Sequence, residues 1–368
     1  MRILEVIEGL GPGGAQRFVV DLSNELTLTN DVAIGTFVER KGSDFYVQDL
    51  SPKVKRLNFN FRPNFLLKIR QMISVFKMIA KFKPDVLHVH DRAFVPCIIP
   101  SLLYPGIRFY YTVHNVANKD AGEGIGSRLR KYFLKRTIKP IAISKYCEDT
   151  FGKFYGYKPF SVIENGCRPL SKTNEYDKVE KEIRLLKKTQ NTKVFLNIAR
   201  FFEQKNHELL INTFNSIIEE GHDVLLLIIG SSPDRKRKEY LESLVSDRTR
   251  IIFLGTKHNV QDYLFATEYF CLSSSWEGLP ITILEAGLCG SYTISTPVGG
   301  VRDVIDNDTI GILSADLSLN SYKDAVRKAL EYTPNFDDIR NYFTRKYTMK
   351  ICAQKYINAF NKDDVSLF

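Results

Sequence analysis

The sequence is poor in cysteine, and its thiols lack the spacing of a metal site. No Cys-x-x-Cys or comparable pairing occurs, which argues against bound zinc. Several of the thiols lie inside apolar runs, where a small buried side chain fits. We therefore expect reduced thiols in a cytoplasmic protein. The six cysteines are Cys97, Cys147, Cys167, Cys271, Cys289 and Cys352.

Long apolar runs are also missing. The two longest, residues 95–104 and Val224–Ile229, are too short to cross a bilayer, and Pro96 and Pro100 interrupt the first. The N-terminal residues alternate as a strand and include acids, so no signal peptide is expected. The sequence therefore predicts no membrane-spanning segment.

Acidic residues are outnumbered by basic ones. Lysine and arginine total 52 against 42 acids, which gives a net charge of +10 and a pI of about 9.1. Negatively charged partners are favoured, whether phosphorylated ligands, anionic lipid or nucleic acid, and charge alone does not choose among them. With 368 residues and 44% hydrophobic content, the chain is long enough for two domains with separate cores.

Short apolar runs that end in polar residues recur in both halves of the chain. They predict parallel strands whose carboxyl ends line a cleft. In the first half, a strand over residues 2–8, a helix over 15–26 and a strand over 31–38 form one βαβ unit. The second half repeats this rhythm, so the fold class is α/β with two doubly wound domains.

Composition sets the expected boundaries. Lys, Glu, Asn and Thr dominate residues 171–192, which predicts a charged linker between an N-terminal domain over 1–170 and a C-terminal domain over 193–345. Apolar residues at helical spacing near the C-terminus predict a closing helix within 346–368 that packs on a domain surface.

Two carboxylates flank a predicted helix start in the second half. Glu277 lies in a loop after a buried strand, and Glu285 lies on the helix that begins near Pro280. The helix N-terminus favours an anion such as a diphosphate. A carboxylate accepts two hydroxyl donors at once, which suits a ribose diol or adjacent sugar hydroxyls. The segment is therefore typical of a site for a sugar on a nucleotide.

Two cations follow a predicted strand over residues 194–198. Arg200 and Lys205 stand just before the next helix, where they can clamp a diphosphate and stabilise it as a leaving group. Solvated loop cations are the alternative, and the nearby acids favour the clamp.

A glycine-rich turn follows the first strand. Residues 9–14 fit the pattern G-x-G-x-x-G, and Glu39 follows the next strand where a ribose-binding acid would lie. Pro12 removes a backbone donor that a phosphate cradle would use. Glycine permits close backbone approach, so Gly13 and Gly14 are predicted to contact ligand, with a structural tight turn as the alternative.

Three histidines lie near strand ends in the first half. His88 and His90 share a strand face without a metal-type partner pattern, and we expect them in the core. His114 is followed by Asn115 at a strand exit and is the better candidate for contact with substrate.

One helical segment, residues 127–139, is basic and contains no acid. Such an amphipathic helix can lie on an anionic membrane surface, with a solvated surface helix as the alternative. A second helix, over 65–82, is a weaker candidate. The expected contacts on the first are Arg128, Arg130, Lys131, Lys135 and Arg136.

Taken together, the chain resembles the retaining glycosyltransferases of a large bacterial family that includes lipopolysaccharide, capsule and phosphatidylinositol mannosyl transferases. The most specific part is Glu277 to Glu285, which matches the family's Glu-x7-Glu signature. Residues 199–206, 13–17 and 296–300 support the match. The resemblance implies the GT-B architecture, with two Rossmann-like domains facing a central cleft and a C-terminal helix that crosses back to the first domain.

The resemblance also implies residue roles. Glu285 would hold the ribose hydroxyls, Glu277 the donor sugar, and Arg200 and Lys205 the diphosphate of a nucleotide-sugar, with UDP expected. Gly14 would approach the phosphates, and His114 would lie near the reacting sugar as a catalytic group beside Glu277. Further donor contacts would come from Gly13, Gly278, Leu279, Pro280, Asn259 and Val260.

We expect no metal requirement and no cofactor beyond the nucleotide-sugar co-substrate. Retention without an obvious protein nucleophile suggests that the leaving group departs and the acceptor attacks on the same face. The expected acceptor is a lipid-linked or surface saccharide at the inner face of the cytoplasmic membrane, bound peripherally, with no nucleic acid involved.

Other functions remain open on the sequence alone. A nucleotide-sugar epimerase of the same architecture would release sugar without an acceptor. An NAD-dependent oxidoreductase would use the glycine-rich turn but leave the acids of the second half unexplained. A non-catalytic membrane or saccharide-binding module would have no use for Glu277, Arg200, Lys205 and Glu285.

Overall fold

The computed structural model describes residues 1–38, 45–61, 67–121 and 125–362. The chain divides into two compact units. The first comprises Met1–Arg168 together with the chain from Tyr347 onward, and the second is Pro169–Lys346. Each unit is built around one parallel sheet. The predicted α/β fold with two Rossmann-like domains is confirmed.

The first unit alternates strands and helices. Its elements up to residue 168 are β1 (Arg2–Val6), α1 (Gly14–Leu26), β2 (Asp31–Val38), β3 (Lys55–Phe61), α2 (Leu67–Phe82), β4 (Val86–His90), α3 (Phe94–Leu103), β5 (Arg108–Val113), α4 (Ala117–Ala121), α5 (Ile125–Leu134), β6 (Ile138–Ala142), α6 (Lys145–Tyr155) and β7 (Ser161–Val162).

The sheet order of this unit is β3-β2-β1-β4-β5-β6-β7. The chain leaves β1 toward one edge and leaves β4 toward the other, so right-handed crossovers place α1 on one face and α2 to α6 on the opposite face. The observed helix contacts agree, since α2 packs on α3, α3 on α5, and α4 on α6. The point where the direction reverses lies between β1 and β4, and ligands of such sheets bind there.

Alternation along the strands decides what each face of this sheet carries. Leu4 and Val6 of β1 point into the main hydrophobic core beneath α2 to α6. Glu5 lies between them and therefore points to the opposite face, although its side chain is fully buried. His88 and Thr112, on β4 and β5, share that second face through the strand register.

The second unit begins with a helix. Its elements are α7 (Tyr176–Leu186), β8 (Lys193–Ile198), α8 (His207–Glu219), β9 (Val224–Ile229), α9 (Arg235–Ser243), β10 (Ile251–Gly255), α10 (Val260–Phe265), β11 (Tyr269–Leu272), α11 (Ile281–Cys289), β12 (Tyr292–Ser295), α12 (Val301–Val304), β13 (Gly311–Leu313), α13 (Leu319–Glu331) and α14 (Phe336–Lys346).

The sheet order here is β10-β9-β8-β11-β12-β13, and its direction reverses between β8 and β11. All six residues of β9 are buried, as expected for a strand covered by helices on both faces. The loops that follow β8 and β11 therefore meet at the carboxyl edge of neighbouring strands. This edge is where the candidate site of the second unit forms.

The stretch predicted as a linker over 171–192 contains helix α7. Val179 and Ile183 are buried on it, and α7 packs against α10. The hydroxyl of Tyr263 on α10 donates to Glu182 at 3.0 Å. The charged residues that dominated the composition are one face of an amphipathic helix that belongs to the second unit.

The last helix, α15 (Met349–Lys362), packs on α1 of the first unit. The hydroxyl of Tyr356 lies 2.9 Å from Thr112 Oγ1, and the Arg108 guanidinium donates to the Phe360 carbonyl at 2.8 Å. A closing helix that returns to the first domain was expected, and it carries the buried aromatic residues that cover the second face of that sheet.

Several predicted element bounds differ from the observed ones. The first strand ends at Val6, two residues earlier than predicted, and the sequence reading missed β3 and β13. The basic segment 127–139 forms α5 only as far as Leu134, after which Lys135 and Arg136 lie in a turn. The start of the helix predicted over 65–82, like Glu39, falls outside the described residues. No helix in the described parts of the chain combines the length and apolar character needed to cross a bilayer.

Candidate active site

In the second unit, the loops after β8 and β11 are tied together by hydrogen bonds. The Ser275 N–H donates to the Gln204 carbonyl at 2.8 Å, and the Ser273 hydroxyl donates to the Lys205 carbonyl at 3.0 Å. The Gln204 amide in turn donates to the Trp276 carbonyl at 2.8 Å. These contacts place residues 203–205 directly beside Glu277.

The ammonium group of Lys205 lies 2.5 Å from Glu277 Oε1. The Gln204 amide donates to the other carboxylate oxygen at 3.3 Å. Only 5% of Glu277 is exposed and Lys205 is partly buried, so the pair is partly shielded from water and its attraction is stronger than that of a surface pair. The structure thus brings together a predicted cation and a predicted acid that stand 72 positions apart.

Glu285 lies in the second turn of α11 and is also buried. Gly278, Leu279 and Pro280 connect Glu277 to this helix, and Pro280 occupies its N-cap position without a side-chain cap. The first N–H groups of α11 are therefore available to an anion at the end of the helix dipole that favours negative charge. Two buried acids flank this helix start, as predicted.

The loop after β12 packs against the loop that contains Glu277. Gly299 has φ +55°, and a Cβ built on it would lie 1.9 Å from the Glu277 carbonyl oxygen. The Gly300 N–H donates to the Gly278 carbonyl at 2.6 Å, and the Thr296 hydroxyl donates to the Ser274 carbonyl at 2.6 Å. Only glycine combines that φ with so close an approach.

The other predicted donor contacts of this unit lie at two different strand ends. Arg200 is exposed after β8, with its guanidinium 4.7 Å from the centre of the Phe202 ring. Asn259 and Val260 begin α10 after β10, where the Asn259 amide donates to Asp262 at 3.0 Å. Arg200, Lys205, Glu277 and Glu285 all belong to the second unit.

In the first unit, Gly13 and Gly14 stand at the start of α1. Gly13 is the N-cap, with an extended backbone and no side chain to cap the helix, and its carbonyl accepts from the Arg17 N–H at 2.9 Å. The turn thus follows β1 at the reversal point of this sheet. Glu39, predicted as its acidic partner, lies outside the described residues.

His114 lies just beyond β5 and is half-buried, while His88 and His90 are fully buried, as predicted. His114 Nε2 lies 2.9 Å from His90 Nδ1. His90 Nε2 and His88 Nδ1 lie 2.7 Å and 2.9 Å from the same oxygen of Glu5. Burial, with a contribution from His90 and His88, holds the pKa of His114 well below its ordinary value.

Sequence reasoning missed Glu5. Burial alone would raise the pKa of its carboxyl, but the charges and hydrogen bonds of His88 and His90 outweigh burial and hold the pKa at about 2. The sequence pattern that could have identified Glu5 is a single acid within a strand whose other buried residues are apolar.

Among the described residues, Glu5, His88 and His90 form the group whose ligand-type atoms lie close enough together to hold a metal ion. His90 Nε2 makes a hydrogen bond of 2.7 Å with Glu5, and His88 Nε2 makes one of 2.7 Å with Thr112 Oγ1. We therefore interpret the group as a hydrogen-bonded cluster.

The prediction that Arg130 contacts the membrane is wrong. It is only 9% exposed and donates to Asp120 at 2.8 Å and to the Tyr111 hydroxyl at 2.6 Å. Its guanidinium also stacks over the Phe94 ring at 4.7 Å. The helical turn points this one cation inward, whereas Arg128, Lys131, Lys135 and Arg136 are exposed.

Comparisons with known proteins cover nearly the whole chain. A family model described as "Glycosyl transferases group 1" matches residues 178–346, and one described as "Glycosyltransferase Family 4" matches residues 12–169. The UDP-Gal:alpha-D-GlcNAc-diphosphoundecaprenol alpha-1,3-galactosyltransferase of Escherichia coli is 24% identical over 314 residues, which are 80% of this chain and 76% of that protein.

Solved structures agree in fold. A glycosyltransferase from Rickettsia africae superposes with a TM-score of 0.82 at 17% identity, covering 100% of this chain and 99% of that one. Anabaena HepE, in complex with UDP and glucose, superposes with a TM-score of 0.81 at 17% identity and covers 98% of this chain and 99% of its own. Both matched models describe glycosyltransferases, one for each unit, and the strand orders of the two units are those of paired Rossmann-like domains. The chain therefore belongs to the GT-B glycosyltransferases.

Proposed function

We propose that this protein transfers a sugar, with retention of anomeric configuration, from a UDP-sugar to a lipid-linked or polysaccharide acceptor. The observation that carries the proposal is the contact of the partly buried Lys205 with the buried Glu277 beside the start of α11. That arrangement offers positive charge, helix N–H groups and hydroxyl-accepting carboxylates within one loop cluster. A sugar nucleotide diphosphate needs all three.

The proposed roles follow from these groups. Lys205 has three ammonium N–H bonds, so its contact with Glu277 leaves two for diphosphate oxygens. Arg200, exposed after the same strand, would add a second cation. The buried carboxylate of Glu285 would accept the two hydroxyls of a ribose, and that of Glu277 would accept hydroxyls of the donor sugar.

Within the first unit, Gly13 and Gly14 would allow close approach of phosphate to the backbone, and His114 would contact a sugar hydroxyl. In the proposed transfer, the bond between the anomeric carbon and the diphosphate oxygen breaks, with Lys205 and Arg200 stabilising the charge that develops on the diphosphate. The acceptor hydroxyl attacks the same face of the sugar, and its proton passes to the departing diphosphate. This transfer requires no covalent intermediate between the sugar and the enzyme.

The UDP-sugar and the acceptor are proposed from the relatives. The Escherichia coli relative is named for UDP-Gal and a diphosphoundecaprenol acceptor, and the Anabaena neighbour is in complex with UDP and glucose. A diphosphoundecaprenol acceptor sits in a membrane, which requires the enzyme to reach the bilayer surface. We place the enzyme peripherally at the inner face of the cytoplasmic membrane.

The first unit carries a surface suited to that location. Three neighbouring helices, α2, α3 and α5, expose apolar side chains at helical spacing. Exposed basic residues accompany them, including Lys68, Lys77, Arg128 and Lys131. Together they match an anionic lipid surface, in which apolar side chains insert and cations meet the headgroups. The apolar residues are Ile69, Ile73, Val95, Ile99, Leu102, Leu103, Leu129 and Tyr132.

The donor is tested by ligand binding. The only tryptophan, Trp276, adjoins Glu277, so its fluorescence should report nucleotide-sugars in the second unit. A panel of uridine, guanosine and adenosine diphosphates with their sugars, together with nicotinamide dinucleotides, is expected to show selective binding of UDP forms. Lys205→Ala should weaken binding about tenfold or more, whereas Lys236→Ala, on exposed α9, should not. Selective binding of nicotinamide dinucleotides would overturn the proposal.

Product analysis tests the transfer. With a lipid-linked saccharide acceptor, we expect an α-linked product from an α-linked UDP-sugar, read from the anomeric proton coupling. Free epimerised sugar formed without an acceptor would favour an epimerase instead. A β-linked product would refute retention alone.

Vesicle binding tests the membrane surface. Binding to vesicles containing phosphatidylglycerol should exceed binding to phosphatidylcholine alone and should fall with added salt. Leu102→Ser with Leu103→Ser should weaken it about tenfold or more, because each buried leucine contributes roughly 1.5–3 kcal/mol. Leu185→Ser, at an exposed position on α7 of the second unit, is the matched control. Equal losses in the two variants would count against the surface.

A further inference from the structure

A buried polar chain crosses the second face of the first unit's sheet. Glu5 of β1 is in register with His88 of β4, Thr112 of β5 lies diagonally from His88 on the same face, and Tyr356 of α15 covers them. Phe18 of α1 packs against His114, with ring centroids 5.5 Å apart. Glu5, His88, His90 and Thr112 are fully buried, so their polar atoms can find hydrogen-bond partners only within the chain.

One proton arrangement satisfies the branch that leads to His114. An ionised carboxylate only accepts, so His90 must donate its Nε2–H to Glu5 Oε2, 2.7 Å away. Burial and the neighbouring His88 lower the pKa of His90 to about 4, so at neutral pH its Nδ1 carries a lone pair. His114 must then donate its Nε2–H to that lone pair across 2.9 Å.

The consequence falls on the other nitrogen of His114. A neutral imidazole carries one N–H, and His114 uses it toward His90, so its Nδ1 is an acceptor. Among the described residues, Nδ1 has no hydrogen-bond partner, and His114 is half-buried at the end of β5. The reverse tautomers would set a lone pair of His90 against the Glu5 carboxylate.

The second branch fixes Glu5 itself. His88 Nδ1 lies 2.9 Å from the same carboxylate oxygen, and its Nε2 lies 2.7 Å from Thr112 Oγ1. The Thr112 hydroxyl lies 2.9 Å from the hydroxyl of Tyr356. This branch connects Glu5 to α15 and makes no contact with His114. A substitution in it can therefore serve as the control for a substitution of Glu5.

We propose that Glu5 is a positioning residue that acts through His90 to hold His114 in the tautomer with Nε2 protonated and Nδ1 free to accept a hydrogen bond. Under the proposed function, on which this last step rests, His114 recognises a hydroxyl of the sugar by accepting its O–H. An acceptor that a carboxylate has oriented discriminates for hydroxyl-bearing sugars and against analogues that lack that hydroxyl.

The tautomer is tested without any substrate. Long-range proton–nitrogen correlation spectra of the full chain labelled with nitrogen-15 histidine should show His114 protonated only at Nε2 at neutral pH. Glu5→Leu removes the acceptor and should give a mixture of tautomers at His90 and His114. Thr112→Val breaks only the second branch and should leave His114 unchanged. Protonation of His114 at Nδ1 in the unmodified protein overturns the proposal even if every variant fails to fold.

Kinetics supply a second readout. Glu5→Leu should lower kcat/KM for transfer about tenfold or more, as expected for one lost oriented hydrogen bond, and Thr112→Val should not. Transfer activity with an unchanged His114 tautomer in Glu5→Leu would refute the positioning role while leaving the transferase function standing. If the protein showed the predicted tautomer but no transfer activity, the transferase function would be refuted and the tautomer assignment would stand.

Discussion

Replacing Arg130 by Met separates two cations that look equivalent in the sequence. Arg128 is exposed, whereas Arg130 is inserted between Asp120, the Tyr111 hydroxyl and the Phe94 ring. Removing one partner of a buried ion pair costs about 3–5 kcal/mol, because the remaining carboxylate stays buried without compensation. Loss of an exposed cation changes the free energy of unfolding by less than about 0.5 kcal/mol.

Urea denaturation measures the difference. With m-values of about 1–3 kcal/mol/M, Arg130→Met should lower the midpoint of the first unit by on the order of 1–5 M. Trp276 lies in the second unit, so hydrogen exchange of the β5 and α5 peptides is the appropriate probe. Arg128→Met is the control and should leave the midpoint unchanged.

The deficit should also depend on pH. Burial raises the pKa of the Asp120 carboxyl, and Arg130 opposes that rise. Without Arg130 the folded state favours protonated Asp120 further, so the variant's deficit is small in acid and grows as pH rises through that raised pKa. Equal midpoints for the Arg130 and Arg128 variants, or a deficit that does not change with pH, would refute the reasoning.

Three further predictions concern the second unit and the loss of protein stability at low pH. Gly299→Ala should abolish transfer and lower the melting temperature by more than Gly156→Ala, since both glycines have positive φ but only the Cβ at 299 meets backbone, 1.9 Å from the Glu277 carbonyl. His207→Leu should stabilise the protein to heat, because both ring nitrogens of this buried histidine lack partners, and a melting temperature below that of the unmodified protein would contradict this. The pKa of His207 is lowered to about 3, first by burial and then by Lys205, so the unfolded chain binds the extra proton and unmodified stability should fall as pH drops from about 6.5 toward that value. His207→Leu should flatten this decline in a series of melts against pH.

The sheet order and the candidate site were predictable to different degrees. A strand such as β9 can be predicted from the sequence because it is a continuous apolar run. The missed strand β3 is an edge strand with alternating polar residues, and β13 has only three residues, so neither produces a strong pattern. Composition predicts a linker around α7 because it reports the solvent-facing side of a helix and conceals the buried Val179 and Ile183.

Side-chain pairing was beyond the sequence where it depends on contacts between distant elements. The acids and cations of the second unit were identified from loop position, but the contact of Lys205 with Glu277 follows from the pairing of β8 with β11. Arg130 differs from its neighbours only by the direction in which the helical turn points it. Glu5 acquires its environment from His88 and His90 of β4, which lie more than 80 positions away along the chain.

The return of α15 to the first unit has a consequence for biosynthesis. Because Tyr356 and the Phe360 carbonyl complete the covering of β4 and β5, the amino-terminal half of the protein cannot finish folding until α15 has emerged from the ribosome. The second unit, whose residues are contiguous from Pro169 to Lys346, has no such delay. The part of the chain that is made first is therefore completed last, and a nascent chain stalled before residue 347 would expose the polar cluster of Glu5, His88 and Thr112 to water.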